Sequence, residues 1–283
     1  RRSAEQRRVE AAWPDPPGPD TLWPFDPDFP RLPDRPINEP LDDAEIDGVL
    51  AGLGRWRGLI GAYRGYRLDL RGANLQRADL SAVQPDGSDA VYSGARLDGT
   101  RLEGALLRQA RLEEAHLTPA RLEGALLQPA RLDGADLMWT RLEGADLKEA
   151  RMERAGLSAA HLEGAHLSSA RMEGAAVDGA RVQFARLESA QLEGARFQEA
   201  RMEGTLLCEA RMERALLFRV RIDAETNLKD AVLRGAAFQY VRFGTAWITR
   251  AQIASTFGDA SVTLPGGVRP GHPGWPAHWP VWI

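Results

Sequence analysis

Any chemistry in this chain has to come from five histidines, one cysteine and a dense set of carboxylates. The histidines are His116, His161, His166, His272 and His278, and His161 and His166 are the nearest pair in sequence. A zinc site would need such rings to converge on one tetrahedral centre. A nucleophilic thiol at Cys208 would need an environment that lowers its pKa; Glu213 flanks it in sequence, and nothing there suggests thiolate activation. Acid–base work by paired carboxylates needs a cleft that shifts their pKa values. No glycine-rich phosphate loop, nucleophile elbow or His-Glu metal motif is present in the sequence. Whether the available groups can meet depends on the element that carries them.

That element is a five-residue repeat. From Ala95 to Ala224 the register holds for 26 consecutive pentads, the first position being Ala in 22 of them and Thr100, Thr140, Thr205 or Val220 in the rest. The third position is apolar throughout, mostly Leu, with Met152, Met172, Met202, Met212, Val177, Val182, Phe197 and Ile222. On an α-helix a five-residue step advances the phase by about 140°, so the leucines would define no face. On a straight strand an odd period throws them onto alternate sides. Both difficulties vanish if the chain turns after every pentad, burying Ala and Leu in a common core and using the last two residues as the corner. The frequent glycine at the fifth position suits such a corner.

The outward positions predict the number of sides. At residues 101, 111 and every tenth residue to 221, Arg fills 11 of 13 second positions, the exceptions being His161 and Gln191; in the intervening pentads it fills three of 13. The fourth position is acidic in 12 of the 13 pentads of that first, Arg-rich set and in three of 13 of the others. Strict alternation keeps each face chemically uniform only if the coil has an even number of sides. Four sides and about 20 residues per turn fit, so His161 and His166 fall on adjacent sides, away from a shared zinc. Arg and Glu should form ladders between coils, each exposed pair worth about 0.2–1 kcal/mol. About nine turns at the usual strand spacing make a rod on the order of 40 Å long.

"ANLQR" (73–77), "ADLSA" (78–82) and "ADLKE" (145–149) match the A-(D/N)-L-x-x consensus of the pentapeptide-repeat family, which this chain resembles over about 68–257. The resemblance implies an all-β solenoid, a right-handed four-sided parallel β-helix with the third-position residue at the centre of each side. Arg at the second position departs from the family's usual Asp or Asn. The flanking "RRSAEQRR" (1–8), "RGYRLDLRGANL" (64–75) and "PAHWP" (276–280) resemble larger bacterial members in which membrane helices precede the solenoid. That likeness, with a chain that opens at Arg1, implies the cytoplasmic part of a longer, membrane-tethered protein.

The solenoid is expected over 67–257, with two interruptions. Leu80 to Leu97 contains two extra residues, read as a small loop at 86–89 where "PDG" is turn chemistry. A one-residue slip falls in "DAETNLKD" (223–230), after which core positions resume at Leu228, Leu233, Phe238, Phe243, Ile248 and Ile253. Residues 1–41 form a charged start and a Pro-rich irregular segment, with 10 of the 18 prolines between 14 and 40 and aromatics at Trp13, Trp23, Phe25 and Phe29 that suit packing on the solenoid. Residues 42–66 carry Ile46, Val49, Leu50, Leu53, Trp56, Ile60 and Tyr63 at helical spacing, predicting an N-terminal helical cap over the open end. Residues 258–283 are a Pro/Trp-rich tail whose Trp275, Trp279 and Trp282 suit either an end cap or a homodimer contact.

The formal charge of −4 disfavours bulk attraction to nucleic acid or anionic membrane. There is no run of 18 apolar residues, so no membrane span is expected in this sequence. One cysteine fits a reducing compartment. No enzyme, cofactor or metal is expected, and two non-catalytic functions compete. The first is a rigid scaffold that binds an unidentified protein partner through exposed apolar positions: Leu106, Leu126, Met138 and Trp139 as one set, Leu206, Leu216 and Phe218 as another. The alternative is a DNA mimic acting as a gyrase inhibitor or protector, a role known in the family. With 21 acidic and 19 basic residues over 95–224, the rod lacks the unpaired charge of a duplex. The core assignment makes its own prediction: Leu132→Asp buries an unpaired charge and should abolish the folded circular-dichroism signal, whereas a thermally unshifted variant would contradict the pentad core.

Overall fold

The structure, a computed structural model, describes residues 75–77, 80 and 93–281. The expected Pro-rich segment, capping helix and 86–89 loop, as well as Trp282, lie outside the described residues. Within them the chain is a coil of 20 residues per turn. Parallel bridges join each second position to the one 20 residues on, from Arg96↔His116 through Arg101↔Arg121 and Leu106↔Leu126 to Arg201↔Arg221. The four sides are numbered by the second positions they carry. Face I holds 101, 121, 141 and onward; face II 106, 126, 146; face III 111, 131, 151; face IV 96, 116, 136. Faces I and III are opposite, as are II and IV.

Backbone hydrogen bonds explain why five residues suffice for a side. The third-position amide donates to the second-position carbonyl one coil on (Leu102 N to Arg121 O, 2.7 Å), and the second-position amide donates back (Arg121 N to Thr100 O, 2.9 Å). The fifth-position amide reaches the next coil's fourth carbonyl (Gly104 N to Glu123 O, 3.0 Å). The first-position amide closes the corner onto the preceding third carbonyl (Ala105 N to Leu102 O, 3.0 Å). With the fifth residue at positive φ, +66° at Gly99 and +58° at Trp139, this corner is a type II turn. Only the fourth amide is left over. Where the second position is Asp or Asn, its side chain accepts from that amide: Asp136 from Met138, Asp146 from Lys148, Asn227 from Lys229, at 3.0–3.1 Å. Most coils give up this bond by placing Arg there.

The first- and third-position residues are buried as expected, in one continuous stack from Leu75 to Leu264. Each buried Leu is worth roughly 1.5–3 kcal/mol. Space along the leucine column from Leu80 to Leu127 totals about 10 Å³, at the threshold for a single water. Threonine replaces Ala without leaving an orphan hydroxyl: Thr140 donates to Leu117 O at 3.0 Å, Thr205 to Val182 O at 2.8 Å, and Thr100 to Leu97 O. The outward positions are less open than the sequence suggests. Second and fourth residues are mostly half-buried, covered by their copies one coil away, and the fifth is the most exposed.

The slip near 223 changes the bridge offset from 20 to 21 residues, between Arg201↔Arg221 and Leu206↔Asn227. Asp223 Oδ1 organises the extra residue, accepting from the amides of Gly204, Glu225 and Thr226 and from the Thr226 hydroxyl. Burial of its carboxyl works against ionisation, but these donors outweigh it and hold the pKa below the ordinary value. Across the slip the bridges on face IV widen into a three-stranded parallel sheet, β1 (Leu216–Phe218), β2 (Ala237–Gln239) and β3 (Phe257–Gly258).

One expected pentad does not form. Ile253, anticipated at the centre of a solenoid side, lies instead in a short helix α1 (Arg250–Ala254), still buried. Thr249 and Gln252 make a reciprocal capping box that starts it. The Gln252 amide then donates to Leu228 O at 2.7 Å and Ala231 O at 2.9 Å, carbonyls of the coil below. A further one-residue shift separates Phe238↔Gly258 from Arg242↔Thr263.

Glycine at the corner answers two separate demands. At Gly124 a Cβ would meet open space, so only the positive φ of +65° matters; at Gly204 (φ +69°) it would also lie 2.5 Å from the Phe184 ring, which folds over it from the coil below. Gly124→Ala should therefore cost about 1–2 kcal/mol. Gly204→Ala should cost more, the excess disappearing in a Phe184→Ala background. Equal losses for the two glycines in chemical denaturation would disprove the ring contact.

Candidate functional site

Faces I and III carry the ion ladders. On face I, Arg121 Nε lies 3.0 Å from Glu103 and 3.4 Å from Glu123, and Arg141 Nε lies 3.0 Å from Glu123 and 3.2 Å from Glu143. On face III, Arg131 meets Glu113 at 2.8 Å, Arg171 meets Glu153 at 2.8 Å and Arg211 meets Glu193 at 2.8 Å. Where Gln183 replaces a glutamate, its amide oxygen turned toward Arg201 accepts at 2.7 and 2.9 Å, so the guanidinium keeps a partner. These faces present paired charge rather than free carboxylates.

The proposed contact residues divide differently from the sequence grouping. Leu106 and Leu126 bridge each other on face II and are half-buried, while Met138 and Trp139 lie on the opposite face, IV. Likewise Leu206 is half-buried on face II, and Leu216 and Phe218 form β1 on face IV. The reason is geometric: in a 20-residue turn, pentads ten residues apart stand on opposite sides. Trp139 is 59% exposed and Met138 40%.

Face IV also gathers residues that the sequence reading missed. Leu216, Ala237 and Phe257 stand in register across β1, β2 and β3, and Phe257 is 61% exposed. Phe218 and Tyr240 meet edge to face at 5.5 Å, with the Arg219 guanidinium 5.0 and 5.4 Å from their centroids. The available signal was Phe257 falling 20 residues after Ala237 once the slip is allowed for. Phe184 and Trp247 are the other large exposed aromatics.

Among the tail tryptophans, Trp279 is buried and donates its indole N–H to Thr256 O at 2.9 Å. Its ring fills the space over Gly258, and half-buried Trp275 packs edge-on at 5.5 Å. His278 Nε2 lies 2.8 Å from the same carbonyl. The last coil's edge is thus overlaid by the tail.

His161 and His166 stand on adjacent faces, I and II. His161 is nevertheless close to two carboxylates, Glu143 and Glu163, with one donor atom from each residue within 4.8 Å of the others. An open surface depression of about 690 Å³ lies on face III, lined by Glu193, Arg211, Glu213, Arg214 and Arg234 over Gly194 and Gly235. Cys208 is half-buried on face II. Among the described residues, no helix is long and apolar enough to cross a membrane.

A family model described as pentapeptide repeats (8 copies) matches residues 93–128, 120–158, 135–174, 145–183 and 185–221. The solenoid belongs to the pentapeptide-repeat family, whose architecture is a right-handed β-helix and whose members are generally non-catalytic. No curated protein matches the chain in sequence. Among solved structures, it is similar to HetL, a pentapeptide-repeat protein involved in heterocyst differentiation regulation in the cyanobacterium Nostoc sp. strain PCC 7120. That similarity has 21% identity over 77% of this chain and 98% of that one, with a TM-score of 0.47. Rfr23 from the cyanobacterium Cyanothece 51142 has 21% identity over 58% and 87%, TM-score 0.21. A trypsin-treated variant of QnrB1, a plasmid-mediated fluoroquinolone resistance protein, has 16% identity over 61% and 86%, TM-score 0.26.

The Cys208 thiol is pushed above its ordinary pKa by burial first and by the nearby Glu188 carboxylate second. It should therefore alkylate with iodoacetamide more slowly than free cysteine at pH 7.5, with a rate-versus-pH midpoint above that of the free thiol. A midpoint below the free value would mean that the environment activates the thiolate instead.

Proposed function

We propose that this protein is a non-catalytic, rigid interaction scaffold whose face IV docks a protein partner near the C-terminal end of the solenoid. The single observation that carries this reading is the row of apolar side chains in register across β1–β3, flanked by the Phe218–Tyr240 pair and Arg219. Exposed aromatics beside an arginine, on a backbone held stiff by ladders, have the make-up of an interface hot spot. Trp139, also on face IV, stands at positive φ, which costs a large side chain roughly 1–2 kcal/mol and is retained in the fold. The single half-buried thiol supports a reducing, cytoplasmic setting.

The DNA-mimic alternative is disfavoured by the same geometry, because the carboxylates of faces I and III sit within ion-pair distance of arginine rather than forming an unpaired array. Leu216→Glu and Phe257→Glu should leave the circular-dichroism spectrum and melting temperature unchanged but abolish capture of a partner from lysate, while Leu126→Glu on the opposite face should not. Unchanged capture by both face IV variants would discard this surface, and loss of self-association in sedimentation would identify the partner as a second copy. The protein should leave gyrase supercoiling unaffected at micromolar concentration; inhibition or protection would restore the mimic.

A further inference from the structure

The face I ladder is regular up to Arg141, each guanidinium lying between the carboxylate of its own coil and that of the coil before. One coil on, an imidazole stands in the guanidinium's place. His161 Nδ1 lies 3.4 Å from Glu143 Oε1, Glu163 follows on the same coil, and the next cation, Arg181, is 3.7 Å from Glu163 on its far side. Unlike guanidinium, imidazole has no fixed charge and can offer a lone pair. Two carboxylates therefore flank a ligating ring at the point where the column lacks its usual cation.

We propose that Glu143, His161 and Glu163 form a surface site for a divalent transition-metal ion, zinc in the first instance, which supplies the charge that the ladder lacks at this coil. One donor atom from each residue lies within 4.8 Å of the other two. The His161–Glu143 separation of 3.4 Å already equals that of two donors on a tetrahedral zinc, about 3.4 Å for metal–ligand bonds near 2.1 Å. Closing the third ligand takes a small side-chain adjustment of Glu163. Glu143 Oε1, which faces His161, is also 3.2 Å from Arg141 Nε, so it would ligate through its remaining lone pair, and the Oε2 atoms of Glu143 and Glu163 are buried with no hydrogen-bond partner. Orphaned Oε2 atoms recur along both ladders, but the imidazole does not. On face III the corresponding gap, between Glu173 and Glu193, is filled by Gln191, whose neutral amide is a poor ligand. On face II, His166 lies 3.8 Å from Asp146, but the flanking fourth positions are Lys148 and Ser168. One imidazole with two carboxylates suits zinc, with water completing the shell. The coil spacing holds the two glutamates in place before any ion arrives.

The test is titration of the untagged chain with Zn²⁺ alone, in competition with a chromophoric chelator, alongside thermal melts. One zinc per chain is expected, raising the melting temperature. His161→Arg rebuilds the ladder: it should weaken binding at least about tenfold and remove the zinc-dependent shift, without lowering the melting temperature of the metal-free protein. Glu163→Gln should weaken binding comparably, and His166→Gln should leave it intact. The proposal is overturned if the wild-type chain binds no zinc at tens of micromolar, if His161→Arg binds as tightly with the same stoichiometry, or if His166→Gln abolishes binding.

Discussion

The structure depends on the corner. Every five residues the chain must change direction within a single turn, and it does so by closing a first-position amide onto the preceding third-position carbonyl, with the intervening fifth residue at positive φ except where it is Pro119 or Pro129. Once that turn is fixed, the third side chain has nowhere to go but inward, the first must be small, and the remaining amides align with the coils above and below. The core, the ladders and the straightness of the rod are consequences of one local hydrogen bond repeated. Its cost appears where the fifth residue is not glycine, as at Trp139, Phe184 and Arg214, all near +60°. There the stacked coils over-determine the backbone and hold it in a conformation that such residues avoid.

Opposite faces of the rod do different work because the turn takes an even number of pentads. Faces I and III spend their outward positions on Arg and Glu, and the resulting columns of alternating charge cover the coil, with Phe184 on face I and Val232 on face III as exposed apolar exceptions. The exchange is visible at the fourth amide: pentads with Asp136, Asp146 or Asn227 satisfy it with their own second side chain, whereas Arg-bearing pentads gain an ion pair instead, and at Glu153 and Gln198 the amide turns to Asp133 or Asp178 of the coil before. Individually such pairs are weak. Collectively they give two sides of a rod built from alanine and leucine a polar surface. Faces II and IV are thereby released from that duty, and the aromatic cluster of β1–β3 occupies one of them.

The C-terminal part shows what happens when the beat is disturbed. Asp223 absorbs an extra residue by accepting three amides and a hydroxyl, so the coil widens locally and the core resumes at Leu228. At α1 the Gln252 side chain replaces lost ladder bonds by donating to two carbonyls of the coil below. Trp279 then lies over Gly258 and bonds to Thr256 O. In each case a polar side chain takes over a main-chain hydrogen-bonding task, which is the condition for ending a solenoid without exposing an unpaired strand edge.

By itself the sequence determined the period, the inward residues, the four sides, the opposed Arg–Glu ladders and the slip at 223, because each is a property of one residue type recurring at one spacing. It did not determine which apolar groups share a surface. Leu126 and Trp139 are neighbours in sequence yet stand on opposite faces, and Leu216 and Phe257 become neighbours only through two full turns and a one-residue bulge. Nor did the pentad beat distinguish Ile253 in a strand from Ile253 in a helix, since both bury it; the Thr249–Gln252 capping box and the carbonyls beneath decided that. His161 was legible as a surface histidine, but its place between two carboxylates came from stacking, which brings residues 20 apart closer than residues five apart. Local repetition fixes what each side chain does within its own coil, and only the assembled stack fixes what it meets on the next.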